Sequence, residues 1–233
     1  MRQITQIRKL SLWIFFIPLI TINLCLFISI NFHLLENTIF VVDQIGRSNF
    51  TIPYFDGSLS ISRASRTYPA FLIFKPGMLI TAILLYYYWS KNNLLIKNLS
   101  ETSIKNFKFK TFGILSAVFL SIHAILLGVD IDIKIFKLLR RVILLCFIIF
   151  EIVAQGLLVY EFYKLREKIK NFYNSNILKC KIGLVIVLSS VAILSIPMLI
   201  TKGNVHFKHA LEWNYFVGVV LFYLLTRLFW KKI

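Results

Sequence analysis

The sequence predicts an all-α fold, a polytopic membrane helical bundle with six transmembrane helices and one long outer loop, forming a single integral membrane domain over residues 1–233. Three observations carry this prediction. The chain is 58% hydrophobic, with 22 phenylalanines and only 16% charged residues, outside the range of a soluble globular domain. Its apolar residues collect in six runs, each close to the roughly 20 residues that a helix needs to cross a bilayer. Its basic residues lie in blocks between those runs and do not line one face. The net charge of +17 is therefore a topology signal, and a nucleic-acid partner is excluded.

The first span is expected at about residues 10–30, behind Arg2, Arg8 and Lys9. Ser29, Ile30, Asn31 and Phe32 offer no small-residue cleavage site, so this run reads as a retained span and not a signal peptide. Residues 31–67 form the long loop. Its β-branched and aromatic residues on both sides of Ile45 to Ser48 fit a small hairpin closed by an Asp56-Gly57 turn. Asn49-Phe50-Thr51 is a glycosylation sequon wherever this loop is lumenal in a eukaryote.

The second span is expected at about 68–89. Pro76 and Gly77 predict a kink near its start, Lys75 reaches toward the interface, and Tyr86, Tyr87, Tyr88 and Trp89 form an aromatic belt at its other end. The third span, about 112–129, contains His123. Residues 130–141 read as a short amphipathic piece lying in the interface. The fourth span, about 138–160, carries Glu151 and Gln155. A basic block from Lys164 to Lys181 leads to the fifth span, about 182–200. The sixth, about 210–230, ends in Lys231 and Lys232.

Alternating the segments with the N-terminus inside puts 17 of the 27 Lys and Arg residues on the inner side, which predicts that both termini are cytoplasmic. A bacterial inner membrane and a eukaryotic plasma membrane or endomembrane both fit. Cys25 and Cys146 fall in apolar runs and Cys180 in a basic block, so no disulfide framework or cysteine metal site is predicted. With no P-loop, no dinucleotide fingerprint and no nucleophile elbow, the sequence implies no cofactor and no metal.

The topology brings Ser60, Ser62, Arg63, Arg66, Lys75, Asp130, Asp132, His206, His209 and Glu212 to one outer mouth. The planar guanidinium groups of Arg63 and Arg66 suit bidentate phosphate recognition. Ser62, Arg63, Arg66, Lys75, Glu212 and Trp213 are accordingly the candidate lipid-binding residues, with membrane lipids as the partner. Whether the chain is an enzyme stays open. A membrane-embedded acyltransferase or hydrolase would use His209 or His123 with Glu212 as acid and base. Glu151 and Gln155 share a helix face one turn apart. A bare carboxylate at mid-bilayer costs about 2.5–3.5 kcal/mol, so Glu151 either functions or bonds to Gln155 or His123. A proton-coupled transporter built on Glu151, Gln155 and His123 is the third reading.

Ile61-Ser62 and Tyr68-Pro69 before the second span, Phe74 within it, the segment Gly113 to Ala117 and Glu212-Trp213 at the sixth span form an ordered set. In that order the chain resembles the six-span family of damage-regulated autophagy modulators, fibroblast-growth-factor-receptor-activating proteins and the membrane domain of proteins that remodel GPI-anchor lipids. It departs at Arg63 through Thr67, where that family often has an Asp and a Gly after the Ser. The resemblance implies a lipid-linked role: lipid-anchor remodelling, control of phospholipid distribution or regulation of membrane trafficking.

Overall fold

An apolar run in lipid can satisfy its backbone only within itself, and it does so as a helix. The computed structural model describes residues 2–35, 38, 50–100, 107–129, 134–200 and 203–231. Its helices are α1 (Arg2–Ile30), the single turn α2 (Ile61–Ala64), α3 (Ala70–Ser100), α4 (Lys108–Leu126), α5 (Lys134–Lys164), α6 (Ser175–Ile200) and α7 (Val205–Phe229). A 3-10 turn follows α1 at Phe32–Leu35. Among the described residues there is no strand, only an isolated bridge between Tyr173 and Trp230.

Five helices, α1, α3, α4, α5 and α6, are long and apolar enough to cross a membrane, and the chain is an integral membrane protein. The sixth expected span corresponds to α7, whose 25 residues fall short of that apolar standard because Glu212, Asn214 and Arg227 dilute it. It nevertheless runs the height of the bundle. The Trp213 indole near its start donates to Leu59 O, and at its far end Phe229 O accepts from the amide of Asn174.

The six long helices form a closed ring in which each packs on the next and α7 returns to α1. One end gathers the termini and two connections. There Arg8 Nη1 donates to Lys231 O at 3.2 Å, the Lys231 amide to Phe172 O at 2.9 Å, and Lys168 Nζ to Leu99 O at 3.2 Å. The opposite end carries a cap made of residues 50–69, with Gly128 beside the Arg66 carbonyl and the Phe71 ring. Helices approach closely where a side chain is missing: Gly77 of α3 faces Thr21 of α1, and Gly113 of α4 faces the Trp89 ring of α3.

The helices overrun the expected spans. α1 already begins at Arg2, α3 continues to Ser100 and α6 begins at Ser175, because long basic side chains carry their charge to water while the helix goes on. Residues 134–141 are no separate interfacial piece, since they are the first turns of α5. α3 passes through Pro76 as one helix. The aromatic belt divides by helical phase: Tyr86 and Tyr87 are exposed, whereas Tyr88 and Trp89 are wholly buried. Asn49, Asp130, Asp132 and most of the expected hairpin lie outside the described residues.

Candidate functional site

The cap is built from short-range hydrogen bonds first. Asp56 Oδ1 accepts from the Ser58 amide at 2.8 Å and Oδ2 from the Ile52 amide at 3.0 Å, and the Thr51 hydroxyl donates to the same carboxylate. The Ser58 amide bond, then Thr51, holds the Asp56 carboxyl down to about 2. Gly57 has φ +59°, and a Cβ there would run into the backbone of His206, so the turn admits no other residue.

The first turns of α7 then hold this turn in place. His209 Nδ1 lies 2.9 Å from Gly57 O, Trp213 Nε1 donates to Leu59 O at 2.8 Å, and Asn214 Nδ2 donates to Tyr54 O at 2.7 Å. The Tyr54 ring meets the Trp213 indole edge-on at 4.9 Å, and its hydroxyl donates to Asn23 Oδ1 of α1 at 3.1 Å. Ser60 caps α2, its hydroxyl accepting from the Arg63 amide at 3.2 Å. The Glu212 carboxyl, which burial pushes up to about 7, faces the backbone of Ser62 and Ile61 in the same turn.

The structure thus brings Ser62, His209, Glu212 and Trp213 together, but their polar contacts close the cap onto α7. Arg63 is exposed, and Lys75 Nζ stands 5.1 Å over the Phe71 ring. Arg66 is half-buried beside Gly128. The acid–base pair expected of His123 or His209 with Glu212 does not form: among the described residues no histidine hydrogen-bonds a carboxylate. His209 is turned to a backbone carbonyl, and the His123 ring, buried, lies 6.4 Å from Phe74. Among the described residues no three His, Cys, Asp or Glu side chains could share a metal ion.

A second constellation lies in the middle of the bundle. Glu151 of α5 is 1% exposed and accepts at Oε2 from Ser116 of α4 at 2.6 Å. At Oε1 it accepts from Gln155 Nε2 at 3.0 Å and from the Tyr223 hydroxyl of α7. Gln155 also donates to Val219 O at 3.3 Å. The expected Gln155 partner is present, while Ser116 and Tyr223 stand where His123 was the alternative.

Lys181 of α6, read above as one member of a basic block, is 0% exposed. Its Nζ donates to Thr226 Oγ1 at 2.9 Å and sits 4.1 Å from the Phe222 ring centre, 5.3 Å from Phe229 and 5.7 Å from Phe162. Thr226 Oγ1 also lies 3.2 Å from the Tyr88 hydroxyl, and the Tyr88 ring meets that of Tyr223 edge-on at 5.0 Å. A signal for Lys181 existed. Starting the helix at Ser175 places it with Leu178, Val185 and Leu188 at i, i+3, i+7 and i+10, on the face that turns inward.

Comparison with models of known protein families, with characterised proteins and with solved structures finds no match for this chain. The functional reading therefore rests on the geometry and on the resemblance of motifs described above.

Proposed function

We propose that this integral membrane protein has a lipid-linked role, with both termini in the cytoplasm and the cap outside, where Arg63 binds the phosphate of an anionic lipid head group. The observation that carries the reading is an exposed guanidinium on a fixed cap whose described acids are already engaged. Glu212 is turned to the backbone of Ser62 and Ile61, and Asp56 is held by Thr51, Ile52 and Ser58. Neither forms an ion pair with Arg63, so its planar donors stay available for two parallel bonds to a phosphate. Arg66 and Lys75 add positive charge on the same side. The excess of Lys and Arg on the segments of the opposite end supports the orientation.

The test is native mass spectrometry of the gently purified protein titrated with phosphatidylglycerol and, in parallel, phosphatidylcholine. The wild type retains the anionic lipid selectively, Arg63→Ala loses that selectivity, and Arg63→Lys, which keeps the charge but not the fork, is intermediate. Equal retention of both lipids by the wild type, or retention unchanged in Arg63→Ala, overturns the proposal.

A further inference from the structure

Among the described residues, Glu151 is the most deeply buried carboxylate and Lys181 the most deeply buried ammonium. They belong to two hydrogen-bonded groups, Glu151 with Ser116, Gln155 and Tyr223, and Lys181 with Thr226 and Tyr88, which meet where the Tyr88 and Tyr223 rings touch. This is an expensive arrangement in lipid, which solvates an ionised group poorly even by the lenient measure of helix insertion. Packing alone would be served as well by leucine and phenylalanine.

The hydrogen bonds around Glu151 can be counted proton by proton. Ser116 Oγ carries one hydrogen and lies 2.8 Å from Gly113 O and 2.6 Å from Glu151 Oε2. When Glu151 is ionised, Ser116 donates to Oε2, and Gln155 and Tyr223 donate to Oε1. When Glu151 is protonated at Oε2, that O–H donates to Ser116 Oγ, and Ser116 turns its own hydrogen to Gly113 O. Gln155 and Tyr223 donate to Oε1 as before. Every hydrogen has an acceptor in both states, and the change needs only the rotation of one hydroxyl. A carboxyl held for packing alone has no reason to be indifferent to its proton.

Lys181 is the second buried ionisable group. Thr226 donates its hydrogen to Phe222 O at 2.9 Å, which leaves its oxygen to accept from Lys181 and from Tyr88. Tyr223 is one turn before Thr226 on α7, so a single helix face holds a donor to the carboxylate and an acceptor for the ammonium. The ionisable groups facing Glu151 are Tyr223 from α7 and Tyr88 from α3, while α4 presents His123 two turns beyond Ser116 and Lys181 of α6 is held one turn further along α7 at Thr226.

We infer that Glu151 is an intramembrane proton-binding site, with Ser116 as the hydroxyl that reorients between its two states. The ligand is the proton. On loading, the bond Oε2–H forms with a proton taken from solvent, and on unloading that proton returns to solvent. The site is independent of the lipid reading of the cap.

The experiment is infrared difference spectroscopy of the protein in nanodiscs as the pH is stepped. The wild type shows a protonated-carboxyl band that converts to a carboxylate band as pH rises, and Glu151→Gln abolishes it. Ser116→Ala moves the frequency of that band, since the partner of the carboxyl O–H is gone. Where Glu151→Gln does not fold, Tyr223→Phe makes the assignment by removing one donor to Oε1 and shifting the same band. A band that stays unconverted over the whole pH range in which the protein is folded overturns the inference, as does a band indifferent to Ser116→Ala. Lipid selectivity measured on the same variants is unchanged, which separates this result from the fate of the cap proposal.

Discussion

Replacing Trp213 by phenylalanine tests whether α7 holds the cap. The substitution keeps an aromatic ring against Tyr54 and removes one donor, Nε1, from the buried Leu59 carbonyl 2.8 Å away. A buried acceptor stripped of its partner costs about 1–3 kcal/mol. Taking about 2 kcal/mol, the equilibrium between closed and locally open cap shifts about 30-fold, since each 1.4 kcal/mol is a factor of ten. Hydrogen–deuterium exchange followed by mass spectrometry on peptides covering residues 51–64 reads that shift directly, with exchange expected to rise in the cap and not in the ring of helices. Trp213→Ala also deletes the ring, and its cost rises to about 3–5 kcal/mol. Exchange unchanged in Trp213→Phe would refute the reasoning. So would a rise spread equally through α3 and α4, which would mean that the indole stabilises the whole bundle and not the cap.

Asp56 makes the cap sensitive to acid. Its carboxyl is held down to about 2 by the Ser58 amide and Thr51, below the value of about 3.9 for an unfolded aspartate, so its contribution is complete above that unfolded value and fades as pH falls toward 2. Proteolysis of the 51–60 segment is expected to accelerate in that window for the wild type, and Asp56→Asn should be cleaved at the same rate across it. At the helix contacts, Gly113→Ala would drive a Cβ into the Trp89 ring, whereas Gly183 has no neighbour within 4 Å. Thermal unfolding in detergent should fall for Gly113→Ala, while Gly183→Ala gains up to about 1 kcal/mol from helix propensity. Equal midpoints for the two variants would count against the close α3–α4 approach.

Much of this architecture is readable from composition, because bilayer thickness leaves an apolar run few alternatives to a helix. The helix ends are less readable. Lys97 and Ser100 look like loop residues by hydropathy, yet α3 continues through them, since a helix emerging from lipid meets no penalty that stops it. At the cap, Glu212-Trp213 and Ile61-Ser62 were legible as a set, but not as partners of one another. Their contact depends on α7 starting at Val205 and on the turn at Gly57, neither of which has a periodic signal. Lys181 was hidden by its neighbours. Counting charge along the chain joins it to Lys179, which is exposed, and only the helical phase of α6 separates the two.

The one long helix that falls short of the apolar standard for a span is the one that fixes the arrangement of the rest. Hydrophobic burial discriminates poorly between helix pairings in lipid, where one apolar face is as well solvated by acyl chains as by another helix. Polar contacts do discriminate, and those that dilute α7 each have a partner elsewhere. Asn214 meets the cap, the backbone of Val219 meets α5, Tyr223 meets Glu151 of α5, and Thr226 meets Lys181 of α6 and Tyr88 of α3. A rotation of α7 about its axis by one residue, about 100°, would break these contacts together. Trp213 and Tyr223 are ten residues apart, about 15 Å along the helix axis, so one rigid element sets the register of the cap and of the buried polar groups. An all-leucine α7 would cross a membrane more readily and would leave Glu151 and Lys181 without the hydroxyls that make their burial tolerable.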